Sequence, residues 1–216
     1  MPKSSSPSKP RYHHGDLRSA LLAAASRILD GQGAAELSLR ETAQLAGVSA
    51  AAPYRHFASK EALLAVLAEE GFEELERVLE AAAKRHPDRP QAQLQDVAAA
   101  YLSLAAERPH FFRMMFSIDL GPSRVNEGIV RACDRVAHGL AKTLVQGLPS
   151  SLHAGTKAEQ AFLLYWSTLH GYAMLLIDHK LDDLGLDLAA HTAKLCELLL
   201  PVFAGLGIED AATPRA

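Results

Sequence analysis

Residues 38–63 read SLRETAQLAGVSAAAPYRHFASKEAL, and this stretch decides the fold. Ser38 stands ahead of Leu39, Ala43 and Ala46, whose spacing puts them on one helical face. Gly47 follows at the position where a left-handed residue ends a helix. Val48 and Ser49 make a tight turn: Val48 is the apolar plug in its angle, and Ser49 can cap what comes next. A second short helical segment is expected from about Ala50 to Phe57. Its Pro53 falls in the first turn, where proline costs little. Ala50, Ala51 and Ala52 are small enough for a close backbone approach to a partner. A short helix, a glycine turn and a second short helix make the helix-turn-helix plan, whose second helix enters the DNA major groove.

Working outward, Ser59 is placed to cap a long helix with Leu63, Leu64, Leu67, Leu75, Val78 and Leu79 on its apolar side. Upstream, Leu21, Ala24 and Ile28 share one face of a helix that Asp16 can cap and that Gly31 and Gly33 end. Residues 1–10, MPKSSSPSKP, are rich in Ser, Pro and Lys and are expected to be disordered. Downstream, Pro87 and Pro90 break the long helix. Helical runs follow at about 91–107, 109–117, 125–146, 157–179 and 187–204. No segment alternates with β-branched residues as a strand would. The expectation is an all-α protein of about nine helices, the first three short. It divides into a basic arm (1–13), a three-helix helix-turn-helix domain (14–61) and an antiparallel helical bundle (62–216).

Composition agrees with a soluble globular chain: 216 residues, 49% hydrophobic and 22% charged. No apolar run reaches the length of a membrane span, and no apolar stretch behind Lys3 and Lys9 suggests a secretory signal. Cys133 and Cys196 are too few for a disulfide framework and read as reduced thiols in a cytoplasmic protein. The net charge is −3, but it is unevenly spread. Residues 1–60 hold eight Lys and Arg against four Asp and Glu; the remainder holds fourteen against twenty-one. A basic head on an acidic body is the asymmetry of a chain that meets phosphate at one end.

Tyr54-Arg55-His56-Phe57-Ala58-Ser59-Lys60-Glu61-Ala62-Leu63 resembles the signature of TetR-type transcriptional repressors, in which Y-x-H-F ends the recognition helix and a Lys opens the next. Ser38–Ala43 and Ala46–Ser49 fit the same family, and the resemblance covers about residues 14–64. It implies that Tyr54, His56 and Lys60 grip phosphates, the last at a helix N-terminus that itself favours anions. Ser38 and Arg40 are implied to reach the DNA backbone or, for Arg40, a guanine edge. Phe57 reads as core. The chain departs from a side-chain code at Ala50, Ala51 and Ala52, which offer bases only methyl contact. Discrimination then leans on Arg40, Ser49, Arg55, thymine methyls touched by Ala50 and Ala51, and DNA shape. Arg11, in the basic arm, is expected along the backbone or in a neighbouring minor groove.

In the body, residues 157–179 are apolar nearly all round, as in a helix buried on most sides. With 187–204 they can form half of a four-helix bundle between two subunits. A homodimer would set two recognition helices one duplex turn apart over a palindrome, about 34–36 Å. Trp166-Ser167-Thr168-Leu169-His170-Gly171 resembles the W-x-x-x-H-G (WHG) class of TetR-type C-terminal domain, and Pro109–Phe116 fits the same class. Tyr101, Phe112, Met115, Phe116, Trp166 and His170 are the candidate lining of a pocket for a small, mostly apolar effector; each can equally be plain core.

No G-x-S-x-G, H-E-x-x-H, Walker or C-x-x-C motif occurs, and the ten histidines fall in no ligand spacing. No enzyme, metal or cofactor is expected. The resemblance implies a cytoplasmic transcriptional regulator, a repressor released from double-stranded DNA when the effector shifts the spacing of the two heads. The alternative is an all-α ligand carrier or enzyme with an incidental helix-turn-helix. Operator, effector, target genes and the choice between repression and activation lie outside what the residues say.

Overall fold

A computed structural model describes residues 14–117, 127–147 and 156–205. Among them there is no strand, and eight α-helices account for most of the chain. These are α1 His14–Gln32, α2 Leu39–Leu45, α3 Lys60–Ala83, α4 Pro90–Glu107, α5 Pro109–Ser117, α6 Glu127–Gly147, α7 Thr156–Ile177 and α8 Leu188–Gly205. Two short 3-10 turns, Pro53–Arg55 and Asp182–Leu184, interrupt the connections. The chain separates into two compact units, divided inside α3 between Leu64 and Ala65. The basic arm through His13, with Arg11, lies outside the described residues.

Two expectations about the first unit change. The first helix is not short: α1 spans 19 residues and opens at His14, two residues ahead of the expected cap Asp16. The segment expected as a helix from Ala50 to Phe57 is a turn followed by the single 3-10 turn Pro53–Arg55. Pro53 has no N–H to donate to the Ser49 carbonyl, which takes the Ala52 N–H at 2.9 Å instead, in the tighter 3-10 pattern. Eight α-helices therefore replace the expected nine among the described residues.

In the first unit, α2 packs on α1 and on the Pro53–Arg55 turn. Leu21, Ala25, Leu29, Leu37, Ala43, Phe57 and Leu63 are its buried core. The Phe57 ring also carries the Arg18 guanidinium 5.7 Å from its centre, a cation–π contact at the edge of that core.

In the second unit α4 is central, packing against α5, α6, α7 and α8. That position explains its small, apolar buried stripe: Leu94, Val97, Ala98, Tyr101, Leu102 and Ala105. Gly71 of α3 is fixed by close packing, because a Cβ there would lie 2.5 Å from the Phe111 ring and 2.7 Å from Met115 Sδ. Arg113 of α5 ties down the end of α7, donating to the Ile177 carbonyl at 3.1 Å and pairing with Asp178. Helix α7 is not buried all round. Tyr165, Leu169, Tyr172 and Ile177 face inward, while Leu163, Leu164 and Leu175 are about half exposed in the single chain, as is Leu198 of α8.

Candidate nucleic-acid interface and effector core

The elbow of the first unit is built by local chemistry. Ser38 has an extended backbone (φ −140°, ψ 154°), and its Oγ accepts the Glu41 N–H at 3.1 Å, satisfying one of the free donors of α2. Thr42 Oγ1, fully buried, donates to the Ser38 carbonyl at 2.7 Å. At the other end Gly47 takes φ +69°, and its N–H and that of Val48 donate back to Gln44 and Ala43. An L side chain resists that φ, which is why glycine holds the turn. Ser59 Oγ accepts the Ala62 N–H at 3.2 Å and caps α3. The same hydroxyl, with the Glu61 backbone, holds the Glu61 carboxyl below its ordinary pKa.

Between these caps the chain is turned to solvent. Arg40, Ser49, Ala50, Ala51, Tyr54 and Arg55 are exposed, Tyr54 at 61% of its full area. A tyrosine so bare has little packing to justify it, whereas its neighbours Pro53 and Phe57 are buried. His56 is half-buried, its ring 6.4 Å from that of Phe57. Two expected phosphate-grippers have intramolecular partners. The Ser38 hydroxyl is an N-cap, and Lys60 Nζ donates to the Ala35 carbonyl at 2.9 Å. Lys60 thereby ties the start of α3 to the loop before α2. Gln44 and Leu45, at the end of α2 beside the glycine turn, are exposed as well.

In the second unit the six expected effector residues come together on α4, α5 and α7, and their rings close on one another. The Phe116 ring centre is 4.4 Å from His170 and 5.0 Å from Phe112, and Phe112 meets Tyr101 edge-on at 5.3 Å. Trp166 stands 6.5 Å from His170, and Met115 is buried behind. The polar groups inside are few. Tyr101 Oη and His170 Nδ1 share a hydrogen bond of 2.9 Å, and the buried Nε1–H of Trp166 makes no hydrogen bond of ordinary geometry among the described residues. Burial holds the Tyr101 hydroxyl protonated and pushes the His170 pKa down, so the imidazole is neutral near pH 7.

An open cavity lies elsewhere. About 450 Å³ of space is lined by α3, α4 and α6, with Leu79, Val97, Val136 and Leu140 as an apolar floor. Val97 and Tyr101 are i and i+4 on α4, so the aromatic cluster begins one turn beyond. Sequence reasoning missed this cavity because its lining comes from three separated helices; Gly139, a glycine inside an amphipathic helix, was the only local sign. Among the described residues no cluster of three or more His, Cys, Asp or Glu could hold a metal. Burial pushes both cysteine thiols up, which favours their protonated form. No helix of the described residues is long and apolar enough to cross a membrane.

Residues 21–67 match the family model described as bacterial regulatory proteins, tetR family, and residues 94–210 match tetracyclin repressor-like, C-terminal domain. No curated protein matches. A protein of unknown function from Rhodococcus sp. RHA1 is 30% identical, with a TM-score of 0.77 over 92% of this chain and 100% of that one. Bacillus subtilis FadR, solved with stearoyl-CoA, is 21% identical, with a TM-score of 0.65 over 84% and 97%. AibR, solved with isovaleryl coenzyme A and operator DNA, is 16% identical, with a TM-score of 0.66 over 86% and 98%. At those identities the last two share the fold.

Proposed function

The chain belongs to the TetR family of bacterial regulatory proteins, and on that footing we propose that it works as a homodimeric repressor released from a palindromic operator by a small effector. That it is a DNA-binding transcriptional regulator follows from the family, which sets the carrier and enzyme alternatives aside. The observation carrying the proposal is the set of solvent-facing residues Ser49, Ala50, Ala51, Tyr54 and Arg55, held out between a glycine turn and a capped helix. Arg40, Ser49, Ala50, Ala51, Tyr54, Arg55 and His56 form the contact set, and Arg11 of the arm adds a phosphate contact. Ser38 and Lys60 work mainly through geometry, by fixing the two helix starts; the α3 amides, with Lys60 beside them, still favour a phosphate.

The dimer forms through α7 and α8. Leu163, Leu164 and Leu175 flank exposed Ser167 and Gly171, and Leu198 continues the apolar surface on α8. Small residues between leucines let two helices approach closely. The effector's apolar body is read by the aromatic cluster of Tyr101, Phe112, Met115, Phe116, Trp166 and His170, whose W-x-x-x-H-G element resembles the WHG class of C-terminal domain. Coenzyme A thioesters, which FadR and AibR carry in their structures, are one class with such a body. Release needs only that the effector prefer the DNA-incompetent state; a 100-fold preference is worth about 2.7 kcal/mol.

A gel shift against the DNA upstream of its own gene tests the reading. Sequence-specific retention with a palindromic footprint is the expected result. Retention that ignores sequence at every salt concentration would refute it.

A further inference from the structure

The cavity between α3, α4 and α6 has a charge pattern that its apolar floor does not explain. Its rim carries five ionisable side chains: Glu76, Glu80, Lys84, Arg135 and Lys142. Four of them cancel. Arg135 Nε donates to Glu76 at 2.8 Å, and Lys84 meets Glu80 at 3.4 Å. Glu73, which does not line the cavity, reaches Arg135 from 3.5 Å and secures it further. Lys142 has no acidic partner among the described residues and is the rim cation left open to a ligand.

Helix α6 arranges the groups in order. Gly139, Lys142, Thr143 and Gln146 fall at i, i+3, i+4 and i+7 and so share one face. Thr143 is already occupied, donating to the Gly139 carbonyl at 3.0 Å. Exposed Gln146 adds amide donors one turn beyond Lys142. At the inner end Gly139 has nothing within 4 Å of where a Cβ would stand. A helix-interior glycine sacrifices helical stability; here the missing side chain leaves cavity volume. About 450 Å³ lies within the usual range of small-molecule pockets.

We propose that this cavity binds an amphipathic anion, an apolar chain ending in a single acidic head. The chain lies on Leu79, Val97, Val136 and Leu140 and the head meets Lys142 and Gln146. This site is separate from the aromatic cluster to which the effector reading assigns the apolar body; only the regulatory consequence rests on that reading, while the binding itself is measured without DNA. Calorimetry on the full-length protein with octanoate, octyl phosphate, octanol and octylamine tests it. Octanoate or octyl phosphate should bind at least tenfold tighter than octanol and octylamine, and the stronger of the two identifies the head as carboxylate or phosphate. K142E should weaken the anions tenfold or more and spare octanol. Gly139→Leu should abolish binding of all four while circular dichroism stays helical. K142E, at an exposed position, keeps the test decisive if Gly139→Leu does not fold. No binding by either anion, octylamine binding as tightly as octanoate, or K142E leaving anion affinity unchanged would overturn the proposal. A parallel gel shift separates the two readings: both variants should retain operator, and failure of the wild-type protein to do so would count against the regulator and not against the cavity.

Discussion

Replacing Gly71 and Gly139 by alanine should move stability in opposite directions, although both glycines sit inside long helices. Helix propensity alone favours each substitution by about 0.8–1.0 kcal/mol. At Gly139 nothing lies within 4 Å of the new Cβ, so that gain should appear nearly whole. At Gly71 the Cβ would stand 2.5 Å from Phe111 Cε1 and 2.7 Å from Met115 Sδ. Those side chains are 4% and 2% exposed, so the ring has little room to yield. Overpacking of this kind costs about 1–3 kcal/mol. Because the propensity gain is common to both variants, the difference between them isolates the steric cost, and Gly139→Ala should exceed Gly71→Ala in stability by that about 1–3 kcal/mol. Urea unfolding followed by circular dichroism, at one fixed protein concentration so that dimerisation contributes equally, measures it. Equal stability of the two variants would refute the account of α3 against α5.

Four further outcomes are expected. Tyr54→Phe and Arg40→Ala should weaken operator binding by about 1 kcal/mol or more each, the scale of a lost hydrogen bond to a charged group, with Tm unchanged by calorimetry because both side chains are exposed. Lys60→Ala should also weaken operator binding, measured by fluorescence anisotropy, with at most a slight fall in Tm from the lost exposed contact with the Ala35 carbonyl. Leu164→Glu should convert the dimer to monomer in sedimentation and thereby abolish palindrome binding. The fourth concerns pH. Burial lowers the folded pKa of His170, so the unfolded chain takes up its proton first. Its contribution to stability is complete above pH about 6.5 and is lost as pH falls from there through the lowered folded value; His170→Gln should flatten that part of a stability profile.

The sequence determined the features that depend on neighbours along the chain. Ser59 as a cap, Gly47 as the left-handed turn, the buried Phe57 and the limits of the later helices within about three residues all follow from spacing and backbone preference, which act over one helical turn. The helical content of the segment before Pro53 was misread, because three alanines suit a helix and only packing around the proline decides that a single 3-10 turn forms. Tertiary structure alone decided the rest. It turned Lys60 toward Ala35, closed the six expected effector residues into a ring-on-ring cluster, and opened a cavity instead where α3, α4 and α6 meet. These outcomes depend on which side chains from distant helices share a volume, and volume is filled or left empty only once the helices have packed.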